Sequence, residues 1–355
     1  MRAVQLVQWM SEPELVEVPV PTPGPGQVLL RVDAAGLCHS DLHLMEWPAE
    51  IMPFDPPFTL GHETAGTVAA LGPGATGVAE GDRVLVHSRW GCGRCRPCVQ
   101  GEDNLCQRSP AELGGHGGGI GFDGGLAEYM LVPAARYLVD IDGLEPERAA
   151  PLSDAALTPY HAIKQAGRHL RPGATVVVIG VGGIGHMAVQ LLRALTPVRI
   201  VAVDLRTDAL ELARGAGAEL TLEAAELTPE RLRAELGLGG AAVVFDCVAS
   251  EATLQLAAGA VGIGGHISYV GRGGGSLAVS PATLPFECSV SLPSWGSIPE
   301  LSEIVDFARS GLIDVEVHRV GLEDAVKTYR QLRRGEIIGR AVALPGATNG
   351  TVAFT

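Results

Sequence analysis

Residues able to do chemistry stand close together in the stretch Gly36–His43. It places a thiol, a hydroxyl and two imidazoles within a few residues, directly after the strand-like run Val28–Val32. A soft thiolate ligand beside groups that carry protons is what a catalytic zinc site requires. A single cysteine near a histidine is nevertheless more often core packing, because free cysteine is among the most buried residue types. The stretch suggests a zinc site and leaves simple burial as the alternative.

Four further cysteines follow with the spacing C-x2-C-x2-C-x7-C, at Cys92, Cys95, Cys98 and Cys106. Closely spaced thiolates can wrap one tetrahedral zinc in a small lobe that has no core of its own. An iron–sulfur cluster is the chemical alternative, and chance clustering is another. Because four thiolates form the closed ligand set of structural zinc, the pattern predicts a structural site and leaves the reaction open.

A third pattern joins a strand, a glycine-rich turn and a helix. The apolar run Thr175–Ile179 is typical of a buried parallel strand, and the G-x-G-x-x-G sequence Gly180–Gly185 follows it at once. The helix His186–Leu195 comes next, and the second apolar strand, Val198–Val203, ends in Asp204. This order predicts a dinucleotide-binding unit. A structural βαβ unit without a ligand is the alternative.

The chemistry of this unit favours one nicotinamide cofactor over another. Glycines let the backbone approach a pyrophosphate at a helix N-terminus, where free amides and the helix dipole attract anions. Asp204 can accept hydrogen bonds from the adenosine ribose hydroxyls, and its negative charge would repel a 2′-phosphate. We therefore expect NAD rather than NADP, although Arg206 stands close enough to keep NADP in view.

Composition limits the classes of protein to consider. At 355 residues, with 46% apolar and 19% charged residues, the chain is typical of a soluble globular protein of two domains. A net charge of −14 argues against nucleic acid or an anionic membrane as partner. No run approaches the ~20 apolar residues of a membrane span, and the N-terminus reads as a strand and not as a signal peptide. Clustered cysteines fit metal binding in a reducing cytosol, so we expect a cytoplasmic protein.

The elements that must position these residues change in kind along the chain. Short strands separated by Pro and Gly turns indicate an antiparallel, barrel-like domain near the N-terminus. The glycine-rich segment 114–125 neither follows a strand nor opens a helix, which predicts a flexible surface loop with His116 in solvent. The expected early strands are Arg2–Val7, Leu15–Val18, Val28–Val32, Glu63–Ala70, Arg83–His87 and Leu126–Val132.

From about residue 155 onward strands alternate with helices, which predicts a doubly wound parallel sheet. Asp208 is the expected N-cap of the helix Ala209–Ala216. The predicted domains are 1–155 with 292–355, and 156–291. Besides those named above, the expected elements are the helices Ala155–Gln165, Ala252–Ala258, Glu300–Ser310 and Glu323–Arg334 and the strands Ala242–Asp246, His266–Val270, Ser289–Leu292 and Ile337–Leu344.

Together these motifs resemble the zinc-dependent medium-chain alcohol dehydrogenases over essentially the full length, and bacterial NAD-dependent secondary-alcohol dehydrogenases most of all. The resemblance implies a GroES-like β-rich catalytic domain and a Rossmann domain with a doubly wound parallel sheet. It also implies NAD and two zinc ions per chain. The motifs that carry it are Gly36–His43, Gly61–Glu63, Gly81–Val84, the four cysteines, the 152–160 segment and Gly180–Gly185 with Asp204.

The resemblance assigns the catalytic zinc to Cys38, His62 and Asp154. Asp154 replaces a cysteine found in many relatives, and without the resemblance it would be taken for the N-cap of Ala155–Gln165. Ser40 matches the hydroxyl that hydrogen-bonds the alcohol, and His43 matches a histidine that relays its proton, although a surface imidazole is the alternative. The remaining catalytic assignments are Asp41, which orients His62, and Glu63, which lies beside the metal.

The same resemblance implies the surroundings of cofactor and substrate. An apolar substrate pocket would contain Phe54 and Trp295, while Cys247 and Cys288 match no ligand position and are expected to be buried thiols. Arg340 matches a pyrophosphate contact. The full set predicted to contact the cofactor is His39, Thr158, Gly180, Gly182, Gly183, Ile184, Gly185, Asp204, Arg206, Val248, Val270 and Arg340.

The function predicted from these residues is hydride transfer between NAD(H) and an alcohol, ketone or aldehyde, with secondary alcohols preferred. A polyol or amino-alcohol dehydrogenase of the same family is one alternative. A non-catalytic nucleotide-binding protein on the same fold is an alternative of another class, and loss of zinc ligands would be its mark. Small-molecule substrates and a homo-oligomer, a tetramer by analogy, are the expected partners.

Overall fold

The computed structural model describes residues 1–346. Contacts divide the chain into two compact units. Among the described residues, the first contains Met1–Asp154, Ser297–Val305 and 315–346, and the second contains Ala155–Gly296 and Asp306–Asp314. This division differs from the predicted domain limits in three places, since residue 155 and residues 292–296 and 306–314 belong to the second unit.

The N-terminal part of the first unit is built from short strands. Its elements are β1 (Arg2–Leu6), β2 (Glu14–Glu17), β3 (Val28–Leu37), α1 (His39–Glu46), β4 (Phe58–Thr59), β5 (Glu63–Leu71), β6 (Arg83–Val86), α2 (Arg96–Val99), α3 (Pro110–Leu113), β7 (Gly117–Gly118), β8 (Gly121–Phe122), β9 (Tyr129–Val132), β10 (Leu138–Asp140) and α4 (Pro146–Ala149).

The second unit alternates helices and strands, and the chain then returns to the first. The elements from residue 155 onward are α5 (Leu157–Gln165), β11 (Thr175–Ile179), α6 (Gly185–Leu195), β12 (Arg199–Asp204), α7 (Thr207–Gly215), β13 (Leu220–Glu223), α8 (Pro229–Leu236), β14 (Ala241–Asp246), α9 (Glu251–Ala260), β15 (Val261–Tyr269), β16 (Ser289–Ser291), α10 (Ile298–Arg309), β17 (Val317–Gly321), α11 (Ala325–Arg333) and β18 (Arg340–Leu344).

The sheet of the first unit brings distant segments to one end of β3. Its seven strands run in the order β10-β6-β5-β3-β18-β17, with β9 also paired to β3. The antiparallel register sets Gly36 opposite Glu63 and Leu37 opposite Ala341. The residues that follow β3, precede β5 and begin β18 are therefore neighbours in space. A separate sheet of this unit has the order β2-β1-β4.

The second unit contains a six-stranded sheet in the order β13-β12-β11-β14-β15-β16, and every neighbouring pair is parallel. This is the doubly wound order in which the chain reverses direction beside the first strand, and it confirms the predicted fold class. Val177, Val201 and Val244 are fully buried in its core, as expected for parallel strands covered on both faces.

Several local expectations are wrong. The glycine-rich segment 114–125 is packed, since residues 117–120 and 124–125 are buried, and His116 is half-buried against Arg89. Asp208 lies in the first turn of α7, whose N-cap is Arg206. Cys247 and Cys288 are half-buried and not buried. Among the elements that the sequence patterns missed are α1, β13, α8 and β17. No helix in residues 1–346 has the length and apolar character needed to cross a bilayer.

Candidate metal centres and cofactor site

Cys38 stands at the junction between β3 and α1 and starts that helix. Its Sγ accepts a hydrogen bond from the Ser40 amide at 3.4 Å, and its own amide donates to Asp41 Oδ2 at 3.0 Å. These reciprocal bonds form a capping box in which sulfur takes the place of the usual hydroxyl oxygen. The cap therefore holds the sulfur in place at the N-terminus of α1.

His62 and Asp154 reach Cys38 from two other segments. Asp154 Oδ2 lies 3.4 Å from Cys38 Sγ and 3.6 Å from His62 Nε2. The three residues are buried, and their donor atoms lie within 4.8 Å of one another. Asp154 follows the 3₁₀ turn Ala150–Ser153, and the N-cap of α5 is Ala156. The helix-cap interpretation of Asp154 is therefore wrong.

The arrangement fits a zinc ion on two grounds. Zinc–ligand bonds of about 2.0–2.3 Å at tetrahedral angles place neighbouring donor atoms about 3.3–3.8 Å apart, which the distances from Asp154 match. Three carboxylates, those of Asp41, Glu63 and Asp154, are also buried together with Cys38. Arg340 is the only buried arginine or lysine in the described residues. Three buried carboxylates beside a cysteine and a single guanidinium favour a further cation at this place.

Arg340 and Glu63 form a buried ion pair beside these donor atoms. The guanidinium donates from Nε and Nη2 to the two carboxylate oxygens at 2.8 and 2.6 Å, and Nη2 also donates to Asp154 Oδ2 at 3.0 Å. Burial alone would lower the pKa of Arg340, but the charges of Cys38 and Glu63 raise it well above its usual value. Burial raises the pKa of Glu63 despite the nearby guanidinium. Arg340 thus fixes two acidic residues of the site, and its predicted pyrophosphate contact stays a prediction.

The residues proposed for proton transfer lie on α1. Ser40 Oγ is 3.5 Å from Cys38 Sγ. The half-buried His43 stacks on Trp47, with ring centroids 6.0 Å apart, and His39 is exposed with its ring 5.6 Å from that of His43. Ser40 and His43 are three positions apart, which places both on one face of the helix.

The four-cysteine segment forms a second group of metal donors. Cys95 Sγ lies 3.4 Å from Cys98 Sγ and 4.0 Å from Cys106 Sγ, close to the about 3.8 Å expected between sulfurs on one tetrahedral zinc. The backbone amides of Cys92 and Cys95 donate to sulfurs at 3.3 and 3.4 Å. Hydrogen bonds from the Arg94 and Cys95 amides lower the pKa of Cys92 to about 6. Amide contacts favour the thiolates of Cys92 and Cys95, whereas burial raises the pKa of Cys98. The sulfur separations fit a structural zinc.

In the second unit the glycine-rich turn follows β11 and leads into α6. Gly180 has φ +83°, and a Cβ there would lie 2.4 Å from Val248 Cγ2, whereas a Cβ at Gly182 would meet nothing within 4 Å. The turn is therefore packed on one side and open where a pyrophosphate would approach. Asp204 Oδ2 accepts the Val181 amide at 2.6 Å, which fixes the carboxylate beside this turn. Together these features fit a dinucleotide.

Comparisons with known proteins agree with this geometry. Residues 24–143 match the alcohol dehydrogenase GroES-like domain, and residues 183–310 match the zinc-binding dehydrogenase family. An NAD-dependent alcohol dehydrogenase of Sulfurisphaera tokodaii is 35% identical, over 97% of this chain and 100% of its own length. The chain belongs to the zinc-dependent medium-chain alcohol dehydrogenase family.

Solved structures of similar proteins support the same placement. The alcohol dehydrogenase of the archaeon Aeropyrum pernix superposes with a TM-score of 0.89 at 33% identity, covering 97% of this dehydrogenase and 100% of that chain. Acetophenone reductase from Geotrichum candidum, solved in complex with NAD, has a TM-score of 0.85 at 31% identity, with 97% of each chain covered.

The remaining predicted residues of this dehydrogenase have different surroundings. Phe54 is 8% exposed and packs at 6.0 Å between ring centroids against both Trp9 and His116. Trp295 is half-buried with φ +51°. Arg206 Nε lies 3.4 Å from Asp208 Oδ1. Thr158 and Val270 are buried, Gly183 and Ile184 are half-buried, Gly185 is buried, and Val248 is 39% exposed.

Sequence reasoning missed several residues that hold these sites. Tyr329 reaches Asp41 from α11, and Arg136 forms two hydrogen bonds of 3.1 and 2.5 Å with the buried Asp103 beside the four cysteines. The packed glycine loop contains Gly119, whose added Cβ would lie 2.8 Å from the His62 amide nitrogen. Tyr329 and Arg136 belong to no short motif, and the segment with Gly119 was predicted to be a solvent loop, so only the pairing of distant segments identifies these contacts.

Proposed function

We propose that this dehydrogenase transfers hydride between NAD(H) and alcohols or ketones, with a preference for secondary alcohols, at a zinc ion held by Cys38, His62 and Asp154. The observation that carries the proposal is the convergence of these three buried donors, whose atoms lie within 4.8 Å of one another. A zinc ion there would act as a Lewis acid that lowers the pKa of an alcohol at its open fourth position.

The side chains around this site have distinct tasks. Asp41 accepts a hydrogen bond from the Cys38 amide and lies 3.1 Å from His62 Nδ1, so it orients one ligand and fixes the segment of another. Arg340 offsets the charges of Glu63 and Asp154 by direct hydrogen bonds. We propose that Glu63 serves the metal site from beside the ligands, held by that arginine.

Proton movement is assigned to α1. Ser40 offers a hydroxyl next to the Cys38 sulfur, and it can accept the alcohol proton and pass it on. His43 follows on the same face of the helix, and its half-buried ring stacks on Trp47, which limits its orientations. We propose that the proton leaves through these two residues.

We assign NAD binding to the turn Gly180–Gly185 and to Asp204. The other residues that the sequence analysis predicted to contact the cofactor are proposed to line the rest of its site. The open space at Gly182 admits a pyrophosphate, and the Asp204 carboxylate suits ribose hydroxyls and opposes a 2′-phosphate. The acetophenone reductase relative supports a ketone or secondary alcohol as substrate. Phe54 and Trp295 are proposed to supply apolar contacts to it.

Finer properties are part of the proposal. Two zinc ions per chain are supported by the two separate donor groups. A cytoplasmic location is supported by seven cysteines that are all free of disulfides. A homotetramer is proposed by analogy with bacterial relatives, and the exposed Phe286 and Leu292 support association of copies.

The deciding experiment measures zinc per chain and NAD(H) turnover on a panel of alcohols, polyols and ketones, for wild type and Asp154→Ala. We expect zinc to fall from two towards one and activity to be lost while the fold survives. Asp142→Ala, which alters an exposed loop aspartate, is the matched control. Unchanged zinc and activity in Asp154→Ala would remove Asp154 from the site, and cofactor binding without turnover would favour a non-catalytic protein.

A further inference from the structure

Tyr329 connects α11 to the candidate zinc site. Its side chain is 1% exposed, and its hydroxyl donates a hydrogen bond of 2.7 Å to Asp41 Oδ2, across 288 residues of sequence. Burial and the charge of Asp41 raise the pKa of Tyr329 well above its usual value, so the phenol stays neutral and keeps its proton. It is therefore a permanent donor to this carboxylate.

Asp41 is the point at which this contact reaches the metal donors. Its Oδ2 accepts the Cys38 amide at 3.0 Å in addition to the phenol, and its Oδ1 lies 3.1 Å from His62 Nδ1. One carboxylate thus touches the segments that carry two of the three donor residues. The direction of its Oδ1 towards His62 depends on what holds its Oδ2.

We propose that Tyr329 is a positioning residue of the catalytic zinc site, because its hydroxyl locks the Asp41 carboxylate and thereby orients His62 and the Cys38 turn. The inference rests on the proposed function, in which Cys38, His62 and Asp154 hold the catalytic metal. Partners of this kind fix the ring orientation of a ligand histidine and raise its basicity.

The hydroxyl can be separated from the packing of α11. Arg333 at the end of α11 donates to Glu46 at the end of α1 at 3.2 Å, and Arg330 binds Glu12 at 2.6 Å. The helix is therefore docked by contacts that do not involve the phenol. Tyr329→Phe keeps the buried ring and removes one hydrogen bond, so its effect reports on orientation.

The test compares Tyr329→Phe with wild type and with Tyr269→Phe, whose hydroxyl donates to the Gly275 carbonyl at 2.7 Å in the other unit. Zinc transfer to a coloured chelator is followed with time, and cobalt is substituted at the catalytic site for absorption spectra. We expect one of the two zinc ions of Tyr329→Phe to leave about 10-fold faster or more, with altered cobalt bands. Tyr269→Phe should match wild type in both measurements.

The same experiment in an Asp41→Asn background shows whether Tyr329 acts through Asp41, since two changes on one path are not additive. We expect Tyr329→Phe to accelerate zinc loss in the wild-type background and to add little in Asp41→Asn. Equal zinc release and cobalt spectra in Tyr329→Phe and wild type would overturn the positioning role and leave the proposed function intact. A wild-type chain that binds only the four-cysteine zinc would overturn both.

Discussion

Replacing Arg340 with methionine tests how the buried charges beside the metal donors are held. Arg340 is 4% exposed, Glu63 is fully buried, and the guanidinium makes three hydrogen bonds of 2.6 to 3.0 Å to Glu63 and Asp154. Removing one partner of a buried pair destabilises a protein by about 3–5 kcal/mol, because the other charge stays buried without compensation. We expect Arg340→Met to lose stability in this range.

The assay is thermal unfolding followed by circular dichroism, with all variants loaded with the same zinc. For a unit of about 200 residues, each kcal/mol shifts Tm by about 2–4 °C, so Arg340→Met should unfold roughly 6–20 °C below wild type. Arg319→Met is the matched control, because Arg319 lies on the adjacent strand β17 and pairs with Glu147 with 55% of its side chain exposed. A surface pair contributes about 0–1 kcal/mol, so the control should shift Tm by less than about 4 °C.

A double variant separates the lost charge from lost packing. Glu63→Gln removes the carboxylate charge that Arg340→Met leaves buried, so Arg340→Met/Glu63→Gln should recover a large part of the lost Tm. Equal Tm values for Arg340→Met and Arg319→Met would refute the reasoning. So would a double variant that is no more stable than Arg340→Met.

Two further predictions concern the second unit. Burial, and then the positive charges of His169 and Arg168, lower the pKa of His266 to about 4, below its usual 6.5. As the pH falls, the unfolded chain therefore binds a proton on His266 at a higher pH than the folded protein does. The contribution of His266 to the free energy of unfolding is complete above pH 6.5 and should fall by up to about 3 kcal/mol as the pH drops to 4. Thermal melting at a series of pH values should show this loss in wild type and a smaller one in His266→Gln. Asp204→Ser should reduce the preference for NAD over NADP by at least about 10-fold, because it removes the charge that opposes a 2′-phosphate. The ratio of the kcat/KM values for the two cofactors measures this preference, and an unchanged ratio would show that Asp204 does not select between them.

The parts of this molecule that sequence predicts well are those where chemistry and spacing coincide locally. The four cysteines at 92–106 must come together because they are only a few residues apart, and Gly180–Gly185 lies between a strand and a helix in the sequence itself. The fold class followed from the alternation of such elements, and the structure has it as predicted.

Where local and distant interactions compete, the local sequence pattern by itself is misleading or silent, and only the family resemblance assigned Asp154 to the metal. Asp154 has the local pattern of a helix cap, yet the helix begins later and the carboxylate faces Cys38 and His62. The glycine segment looked like a solvent loop, because nothing near it in sequence shows that it packs against Gly61. No sequence pattern predicted the contact of Tyr329 with Asp41, because the two residues lie 288 positions apart.

The glycine loop 114–125 limits how this dehydrogenase can vary. A Cβ at Gly119 would lie 2.7 Å from the Gly61 carbonyl carbon, and a Cβ at Gly121 would lie 2.9 Å from the Phe54 ring. Both positions also have positive φ, where alanine is strained. A single added methyl group would therefore move either the backbone before a metal ligand or the wall proposed to face substrate. Libraries meant to broaden substrate range should leave these glycines fixed and diversify Phe54 and His116, whose side chains already fill the space.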